Sequence, residues 1–509
     1  MFLRNPLLRL LALCLLVSVC APIQAQFLAP KADAVDSVVL AQKRAIEIYL
    51  PQEAEKDAKA RFETIYVLDG DWNTQMVVNT ITFMRQVGRM PPVIVVSVPN
   101  FIDAKGRSSR DNNFLPHMQD GKPKPGSARD FLACLKTELI PYVGAHYPAN
   151  GTNLLHGHSY GGVFAFYALT HEPALFDGYL ILDPAMWWGE HALDKLIEVK
   201  LPELPVEGKA IYVAARSGRA FEDMGMSTVE PIFKSKAPHG LSWEVTTYPD
   251  ETHDSLKLKG TYDALKFAYQ GYSPDKIEMA PMAGIVLKGK PVSLVVNGER
   301  SDVRYTTDGS APNASSPKID GTLSIADPDR TKIRLVSNRG VFDQDIPHNL
   351  KFGNALSPVQ RAADAKEDLW RYAYYADDAW PNLKRAKLFK NGEAKQKLDF
   401  IEAGRDRFAG SAERNFEVAA DGYYVFDAVS PGKMRVTVSG KTLIDHDGTH
   451  GHRQQAFIVP LRAGTHSVRV EFDHVEKKAD VNLVVFRYKD EDPRWWKSRV
   501  FELAADAKN

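Results

Sequence analysis

A serine flanked by glycines is the residue whose setting most clearly suggests chemistry. Gly157-His158-Ser159-Tyr160-Gly161 has the pattern G-x-S-x-G, in which a serine stands on a tight turn between a strand and a helix. The short apolar segment 153–156 precedes it and a helical pattern over 162–169 follows. Such a serine is a nucleophile for acyl transfer, and the backbone amide of Tyr160 at the helix N-terminus can stabilise an oxyanion.

A serine nucleophile needs a general base and a carboxylate that orients the base. His253 lies in a loop between a predicted strand over 243–248 and a predicted helix over 262–269, the place of the base in the chain order Ser, acid, His. The acid is expected after the strand over 211–215, where Glu222 is preferred and Asp223 is the alternative. The backbone amide of Asp71 is the candidate for the second oxyanion donor, because Gly70 before it permits a sharp turn.

The elements that must hold these residues alternate between strand and helix over about 40–270. Continuous apolar runs such as 65–68 and 93–98 are typical of strands buried on both faces of a parallel sheet. We therefore expect an α/β fold with helices on both sides of the sheet. Beyond about 280 the pattern changes to short strands separated by turn pairs such as Asn297-Gly298 and Asp308-Gly309. That pattern predicts β-sandwich modules.

The N-terminus and the composition indicate where the protein works. Residues 1–25 combine Arg4 and Arg9 with a short apolar run and end in Ala25, as a cleaved secretory signal does. The mature protein is then expected to be exported, periplasmic or secreted, without a membrane span. The chain has 64 Lys+Arg and 64 Asp+Glu, so it lacks the basic excess of a nucleic-acid-binding protein. No cofactor and no metal are expected.

Five stretches in the first half carry a resemblance to a known family. They are Tyr66–Gly70, Arg110-Asp111 with Phe114–Pro116, Gly157–Gly162, Asp183–Trp188 and Glu251–Asp254. In the same order they resemble the esterase-D-type branch of the α/β-hydrolase superfamily, and within it the siderophore-esterase-like hydrolases. The resemblance covers about 37–271 and implies Ser159 as nucleophile, His253 as base, and the amides of Tyr160 and Asp71 as the oxyanion hole. The sequence departs from the family at Asp183-Pro184-Ala185, where relatives often have Ser-Pro-Ser, and in a longer acid loop.

Four further residues are candidates for substrate binding: Trp187, Trp188, Arg110 and Asp69. Trp187 and Trp188 either wall an acyl pocket or belong to the core, since large aromatic side chains serve both purposes. Arg110 either binds an anionic group of the substrate or pairs with Asp69 or Asp111.

The second half carries two further resemblances. Val303–Pro312 resembles the C-terminal β-sandwich of chitobiases and hexosaminidases, and residues 369–488 resemble the protective-antigen-type β-sandwich. The latter lacks the paired Asp of calcium-binding members in the loop Val429–Lys433. The cluster Asp445–His452 is interpreted as a hairpin turn in preference to a metal site. The predicted divisions are a signal peptide (1–25), a hydrolase domain (26–275), two β-sandwiches (280–353 and 369–490) joined by a linker (354–368), and a tail (491–509).

Together these patterns predict an exported serine carboxylic-ester hydrolase. It would act through an acyl-enzyme on a small or carbohydrate-linked ester, with weak glycan contact through the C-terminal modules. Two alternatives stay open: an acyltransferase with the same triad, and a glycan-binding surface protein with a degenerate hydrolase domain.

Overall fold

The computed structural model describes most of the chain after the predicted signal peptide. The described residues are 26–120, 122–274, 279–281, 283–296, 302–360, 369–376, 383, 386–395, 398, 408–430, 432–446, 453–474, 481–489 and 497–503. The signal peptide, half of the predicted linker, most of the predicted tail and residues 447–452 of the Asp445–His452 cluster lie outside them. The chain divides into two compact units, one with residues up to 275 and Ser337–Asp343, the other with the remainder.

The first unit is built on an eight-stranded sheet in the order β1-β2-β4-β3-β7-β8-β9-β10. Its strands are β1 (Lys31–Ser37), β2 (Gln42–Tyr49), β3 (Phe62–Leu68), β4 (Val93–Val98), β7 (Ala149–His158), β8 (Gly178–Leu182), β9 (Ala210–Arg216) and β10 (Ser242–Tyr248), and β5 (Met118–Gln119) and β6 (Lys122–Pro123) form a separate hairpin. Strands β4, β3, β7, β8, β9 and β10 are mutually parallel, while β2 runs antiparallel to both of its neighbours.

Helices connect the parallel strands. They are α1 (Glu53–Lys56), α2 (Gly70–Gln86), α3 (Arg110–Phe114), α4 (Ala128–Cys134), α5 (Ile140–His146), α6 (Tyr160–His171), α7 (Trp188–Lys200), α8 (Arg219–Asp223), α9 (Met226–Lys236) and α10 (Leu256–Ala268), with a π-helical turn at Leu135–Leu139 and a 3₁₀ turn at Leu201–Glu203. Successive residues of the strands point to opposite faces. In β3, Tyr66 and Leu68 enter one apolar cluster, whereas Ile65 and Val67 enter another. The sheet is therefore covered on both faces, and the predicted α/β class is confirmed with the α/β-hydrolase strand order.

The described part of the second unit is built mainly of strands. They are β11 (Met279–Ala280), β12 (Ala283–Val286), β13 (Val292–Val296), β14 (Val303–Thr306), β15 (Thr322–Ile325), β16 (Lys332–Leu335), β17 (Gln344–Asp345), β18 (Asn349–Phe352), β19 (Trp370–Tyr375), β20 (Leu388–Ala394), β21 (Phe408–Val418), β22 (Gly422–Ser430), β23 (Met434–Val438), β24 (Lys441–His446), β25 (Arg453–Leu461), β26 (Gly464–His474), β27 (Asn482–Arg487) and β28 (Arg499–Glu502). Two six-stranded sheets, β18-β12-β25-β22-β27-β28 and β20-β19-β21-β26-β23-β24, enclose an apolar core that includes Trp370, Phe426 and Val468. This arrangement is a β-sandwich.

The two predicted sandwich modules are not separate in the structure. Strands β12 and β18 from the first predicted module lie in the same sheet as β22 and β25 from the second. Ala283 is paired with Phe457 in that sheet, and the Tyr423 hydroxyl accepts a hydrogen bond from the Leu287 amide at 2.7 Å. Because the two stretches share a sheet and an apolar cluster, they fold as one unit, and the predicted boundary at 354–368 does not separate two domains.

Candidate active site

The register of the parallel strands brings the candidate residues to one edge of the sheet. Val67 of β3 lies opposite His156 of β7, and His158 of β7 lies opposite Leu182 of β8. Leu182 lies opposite Ala214 of β9. The segments that follow these strands therefore leave the sheet side by side at its carboxyl edge, where ligands bind in open α/β sheets.

Ser159 stands on a strained turn between β7 and α6. Its φ and ψ are 58° and −118°, a conformation that a residue with a side chain adopts only when its surroundings enforce it. A Cβ atom at Gly157 would lie 2.2 Å from the carbonyl oxygen of Gly161, and one at Gly162 would lie 2.8 Å from Pro184 Cβ. The Ser159 side chain is half-buried. The tight turn predicted between strand and helix is thus present, and the close approaches require glycine at 157 and 162.

Gly161 differs from Gly157 and from Gly162, the glycine that follows the motif. A Cβ atom there would meet its nearest neighbours, Asp69 Oδ2 and Leu68 Cβ, at 3.6 Å, which is ordinary van der Waals contact. The motif has glycine at this position, but the structure shows room for a methyl group.

The two proposed oxyanion donors lie at the starts of helices from adjacent strands. Tyr160 is the first residue of α6 and Asp71 the second residue of α2, so both amides belong to the first turn, where backbone N–H groups lack helical partners. Within the described residues neither amide donates a hydrogen bond to a protein acceptor. The turn before Asp71 differs from the prediction. Asp69 takes the positive φ of 51°, while Gly70 is needed because a Cβ atom would lie 2.3 Å from Ser97 Oγ.

His253 is held by a carboxylate that sequence reasoning did not select. Its Nδ1 lies 2.6 Å from Asp183 Oδ2, and the Asp183 side chain is fully buried. Glu222 and Asp223 lie on the short helix α8, where Asp223 is paired with Arg219. No hydrogen bond or ion pair joins either of them to His253 in the part of the chain described. The expectation that Glu222 or Asp223 orients His253 is therefore corrected to Asp183, because Asp183 already occupies Nδ1.

Asp183 directly follows β8, one strand before the expected position of the acid. Its backbone has a φ of 39°, and its amide donates to the Ala214 carbonyl at 2.7 Å. Burial raises the pKa of Asp183, but hydrogen bonds from His253 and Arg216 outweigh burial and leave the pKa below its ordinary value. The signal that could have found this residue is the aspartate at the end of a buried strand, in the place where the resembled family often has serine.

His158 supports His253 from within the protein. Its Nε2 donates to the backbone carbonyl of His253 at 2.8 Å, and the two rings lie 4.3 Å apart. Burial, followed by the charge of His253, lowers the pKa of His158 to about 3. His158 is thus a neutral donor that fixes the loop of the base.

The structure gives no hydrogen bond between Ser159 Oγ and His253 within the described residues. Backbone hydrogen bonds nevertheless join Ser159 to the residues on either side of Asp183. The Ser159 amide donates to Leu182, the residue before Asp183, at 3.0 Å, and the Ser159 carbonyl accepts from Ala185 at 3.3 Å. Hydrogen bonds between nucleophile and base are often longer without substrate.

Arg110 is held by protein groups. Its Nε lies 2.7 Å from Asp69 Oδ1 and its second terminal nitrogen 2.9 Å from Asp69 Oδ2, so the pairing with Asp69 anticipated from the sequence is present. The guanidinium lies 5.3 Å from the ring centroids of both Trp72 and Tyr160. With Asp69 buried and both of its oxygens engaged, this pair is a rigid support beside the serine.

The two tryptophans of the Asp183–Trp188 stretch have different surroundings. Trp187 is 45% exposed and its ring centroid lies 6.1 Å from that of Tyr160. Trp188 packs edge-on against His117 at 5.4 Å and borders a cavity of about 450 Å³. That cavity is lined by Pro116, His117, Met118, Pro123, Ser127, Arg129, Tyr167, His171, Trp188, Gly189, Ala192, Leu193 and Leu196. Neither tryptophan belongs to the fully buried core.

Among the described residues, no group of three or more His, Cys, Asp or Glu side chains is placed to hold a metal ion. None of the helices in the described ranges has the length and hydrophobicity needed to cross a bilayer.

Comparison with known proteins points in the same direction as the geometry. Residues 37–220 match the model of the Esterase family, described as "Putative esterase". The chain is similar to the siderophore enterobactin esterase of Emericella nidulans, with 31% identity over 147 residues, covering 25% of this chain and 48% of that protein. It is also similar to the ferri-bacillibactin esterase BesA of Bacillus subtilis, with 25% identity over 167 residues, covering 29% of this chain and 56% of that protein. The chain spans about half the length of these curated relatives.

Among solved structures, the chain is similar to an IroE-like serine hydrolase from Shewanella oneidensis. The TM-score is 0.43 and the identity 24%, covering 48% of this chain and 82% of that one.

Proposed function

We propose that this protein is a serine carboxylic-ester hydrolase whose triad is Ser159, His253 and Asp183. The observation that carries the proposal is the strained turn of Ser159 directly after β7, beside the strand β8 that Asp183 follows, with His253 bonded to Asp183 at 2.6 Å. The match of residues 37–220 to an esterase family supports the same reaction class.

The proposed reaction proceeds through an acyl-enzyme. Ser159 Oγ attacks the ester carbonyl while His253 Nε2 takes the hydroxyl proton, and the amides of Tyr160 and Asp71 stabilise the oxyanion. The protonated His253 gives this proton to the departing alcohol as the bond from carbon to the alcohol oxygen breaks. Water then attacks the acyl-enzyme by the same route and releases the carboxylic acid and free Ser159. Asp183 keeps the Nδ1 proton in place throughout.

The substrate class follows from the surroundings of Ser159. Trp72 and Trp187 are 63% and 45% exposed. Trp187 lies beside the Tyr160 ring, and Trp72 contacts the same guanidinium as Tyr160, so an apolar or aromatic part of the substrate would contact them. Since two relatives are named as esterases of enterobactin and bacillibactin, siderophore esters are the first class to test. Acetyl and feruloyl esters of sugars are the second class.

Export is part of the proposal. The signal-like residues 1–25 support it, and the proposed place of action is the periplasm or the medium. Glycan contact through the second unit and transfer of the acyl group to an alcohol stay as predictions from sequence. Product analysis with and without added alcohol acceptors separates transfer from hydrolysis.

The deciding experiment is hydrolysis of p-nitrophenyl acetate and butyrate by the wild-type protein and by Ser159→Ala. Loss of roughly 10⁴-fold or more in kcat is expected for the variant, as for other triad nucleophiles. A fluorophosphonate probe should label the wild type and not the variant. Full hydrolysis by Ser159→Ala would refute the assignment, and failure of the wild type to hydrolyse or to be labelled would indicate a degenerate hydrolase domain.

A further inference from the structure

An arginine holds the same carboxylate that holds His253, and the proposed reaction leaves this arginine without a task. Arg216 Nε lies 2.6 Å from Asp183 Oδ2, the oxygen that also accepts from His253 Nδ1 at 2.6 Å. The Arg216 backbone amide lies 3.3 Å from Asp183 Oδ1. One residue therefore contacts both oxygens of the carboxylate.

The fold explains why this arginine reaches the carboxylate. Asp183 follows the last residue of β8, and Arg216 is the last residue of the neighbouring strand β9. From the sequence, the acid was expected after β9. In the structure the acid, Asp183, follows the neighbouring strand β8, and β9 ends in the cation Arg216. The Arg216 side chain is 23% exposed while that of Asp183 is 0% exposed, so the arginine is the partner that solvent can reach.

We propose that Arg216 is a positioning residue that fixes the Asp183 carboxylate in the orientation in which Oδ2 accepts the Nδ1 proton of His253. This inference rests on the proposed function, because it adds a residue to the same site. A buried carboxylate held by His253 alone could rotate away or take up a proton, since an uncompensated buried charge is costly. Either change would remove the acceptor that sets the tautomer and direction of the imidazole.

The charge of the site agrees with this role. The hydrogen bonds of His253 and Arg216 outweigh burial and hold the pKa of Asp183 below its ordinary value. In the described part of the chain, His253 also lies beside the buried His158 and beside the pair of exposed Asp254 and partly buried Lys257, whose charged atoms lie 2.9 Å apart. Arg216 is the cation bonded to the Asp183 carboxylate itself.

A second arginine of the same unit provides a matched control. Arg339 forms a buried ion pair with Glu63 at 2.7 Å, with side-chain exposures of 0% and 12%. Glu63 lies near the start of β3, at the end of the strand opposite to the candidate site. Arg339→Met therefore breaks a buried arginine–carboxylate pair of the same kind without touching the triad.

The test is steady-state hydrolysis of p-nitrophenyl butyrate by the full chain carrying Arg216→Met, Arg216→Gln or Arg339→Met. Circular dichroism measures the folded fraction of each. For Arg216→Met we expect kcat to fall on the order of 10²-fold, as for a misplaced catalytic group, with KM within about threefold because Arg216 is not assigned to the substrate. Low millimolar methylguanidinium should restore part of the lost kcat, while equal sodium chloride should not. Arg339→Met should lower the melting temperature and leave kcat unchanged.

Three outcomes would overturn the proposal. They are an unchanged kcat in folded Arg216→Met, a loss that appears only in KM, and an equal fall of kcat in the Arg339 control. If Arg216→Met does not fold, Arg216→Gln decides by the same measurements. Failure of the proposed function itself would be visible earlier, as an inactive wild type.

Discussion

The two units of the chain differ in where their backbones are strained. Among the described residues outside glycine, eight positive-φ positions lie in the first unit and one, Ser439, lies in the second. Three of the eight directly follow parallel strands: Asp69 after β3, Ser159 after β7 and Asp183 after β8. Ser439 instead lies in the two-residue turn between β23 and β24.

The backbone strain has a different cause in each of the two units. In a hairpin, positive φ matches the twist of the flanking strands, so the strain serves the turn itself. At the carboxyl edge of a parallel sheet no such requirement exists, and each strained residue costs about 1–3 kcal/mol. Asp69, Ser159 and Asp183 gather at one place because the strands that precede them are neighbours. Three of the strained residues of the first unit therefore lie where the chemistry is proposed, and substitutions there should affect activity more than those at the Ser439 turn.

Asp183→Asn should produce the largest change that the comparison predicts. Asparagine keeps the shape but presents the wrong hydrogen-bonding group to Nδ1, and the corresponding change in a serine protease costs about 10⁴-fold in kcat. Glu222→Gln is the matched control and should keep kcat within about twofold, since Glu222 does not contact His253 in the structure. The measurement is kcat for p-nitrophenyl butyrate. A greater loss in the Glu222 variant would restore the acid predicted from sequence.

Gly157→Ala and Gly161→Ala form the second test. A Cβ atom at 157 would lie 2.2 Å from a backbone oxygen, whereas one at 161 has 3.6 Å of clearance. We expect Gly157→Ala to misfold or to lose on the order of 10²-fold in kcat/KM, because the elbow must shift. Gly161→Ala should stay within a few-fold of wild type. Equal effects of the two substitutions would show that the elbow geometry is not what the motif protects.

Much of this site could be predicted from the sequence, and the part that could not has a physical reason. Ser159 and His253 were predictable because the elbow has a local pattern and the base has a fixed place in the chain order. Asp183 was missed because the direction of a side chain depends on the register of β8 against β9, which local sequence does not contain.

The domain division shows a similar limit. The turn pairs correctly predicted the β-rich second half, because turn residues act locally. The merging of β12 and β18 into the sheet of β22 and β25 depends on pairing between strands that are far apart in the sequence. The loop Ser337–Asp343 belongs to the first unit. This could not be predicted either, because the loop's own sequence does not indicate which residues it contacts.

Buried titratable groups of the first unit make its stability depend on pH. In the first unit burial lowers the pKa of His156 to about 4, against about 6.5 in the unfolded chain. As the pH falls, His156 takes up a proton in the unfolded state before it does so in the folded state. Its contribution to stability is therefore fully present above about pH 6.5 and is lost between about pH 6.5 and pH 4, by on the order of 3 kcal/mol. Urea midpoints at pH 7.5 and 4.5 test this. His156→Gln should reduce the difference without abolishing it, because burial also lowers the pKa of His158, to about 3. His171→Gln, a substitution of an exposed histidine, should leave the difference as in the wild type, and an equal difference in both variants would contradict the assignment.

Gly440→Ala, a substitution in the second unit, should have the smallest effect on activity. Gly440 has a φ of 80°, and no atom lies within 4 Å of the position that an alanine methyl group would take, so the substitution adds backbone strain without a clash. The expected cost is roughly 1–2 kcal/mol of stability, visible as a lower melting temperature, with kcat/KM for p-nitrophenyl butyrate unchanged. Strain at this turn then affects folding alone, while strain at Ser159 and Asp183 is coupled to turnover. A fall in kcat/KM for Gly440→Ala, at full folding, would break that distinction and implicate the second unit in catalysis.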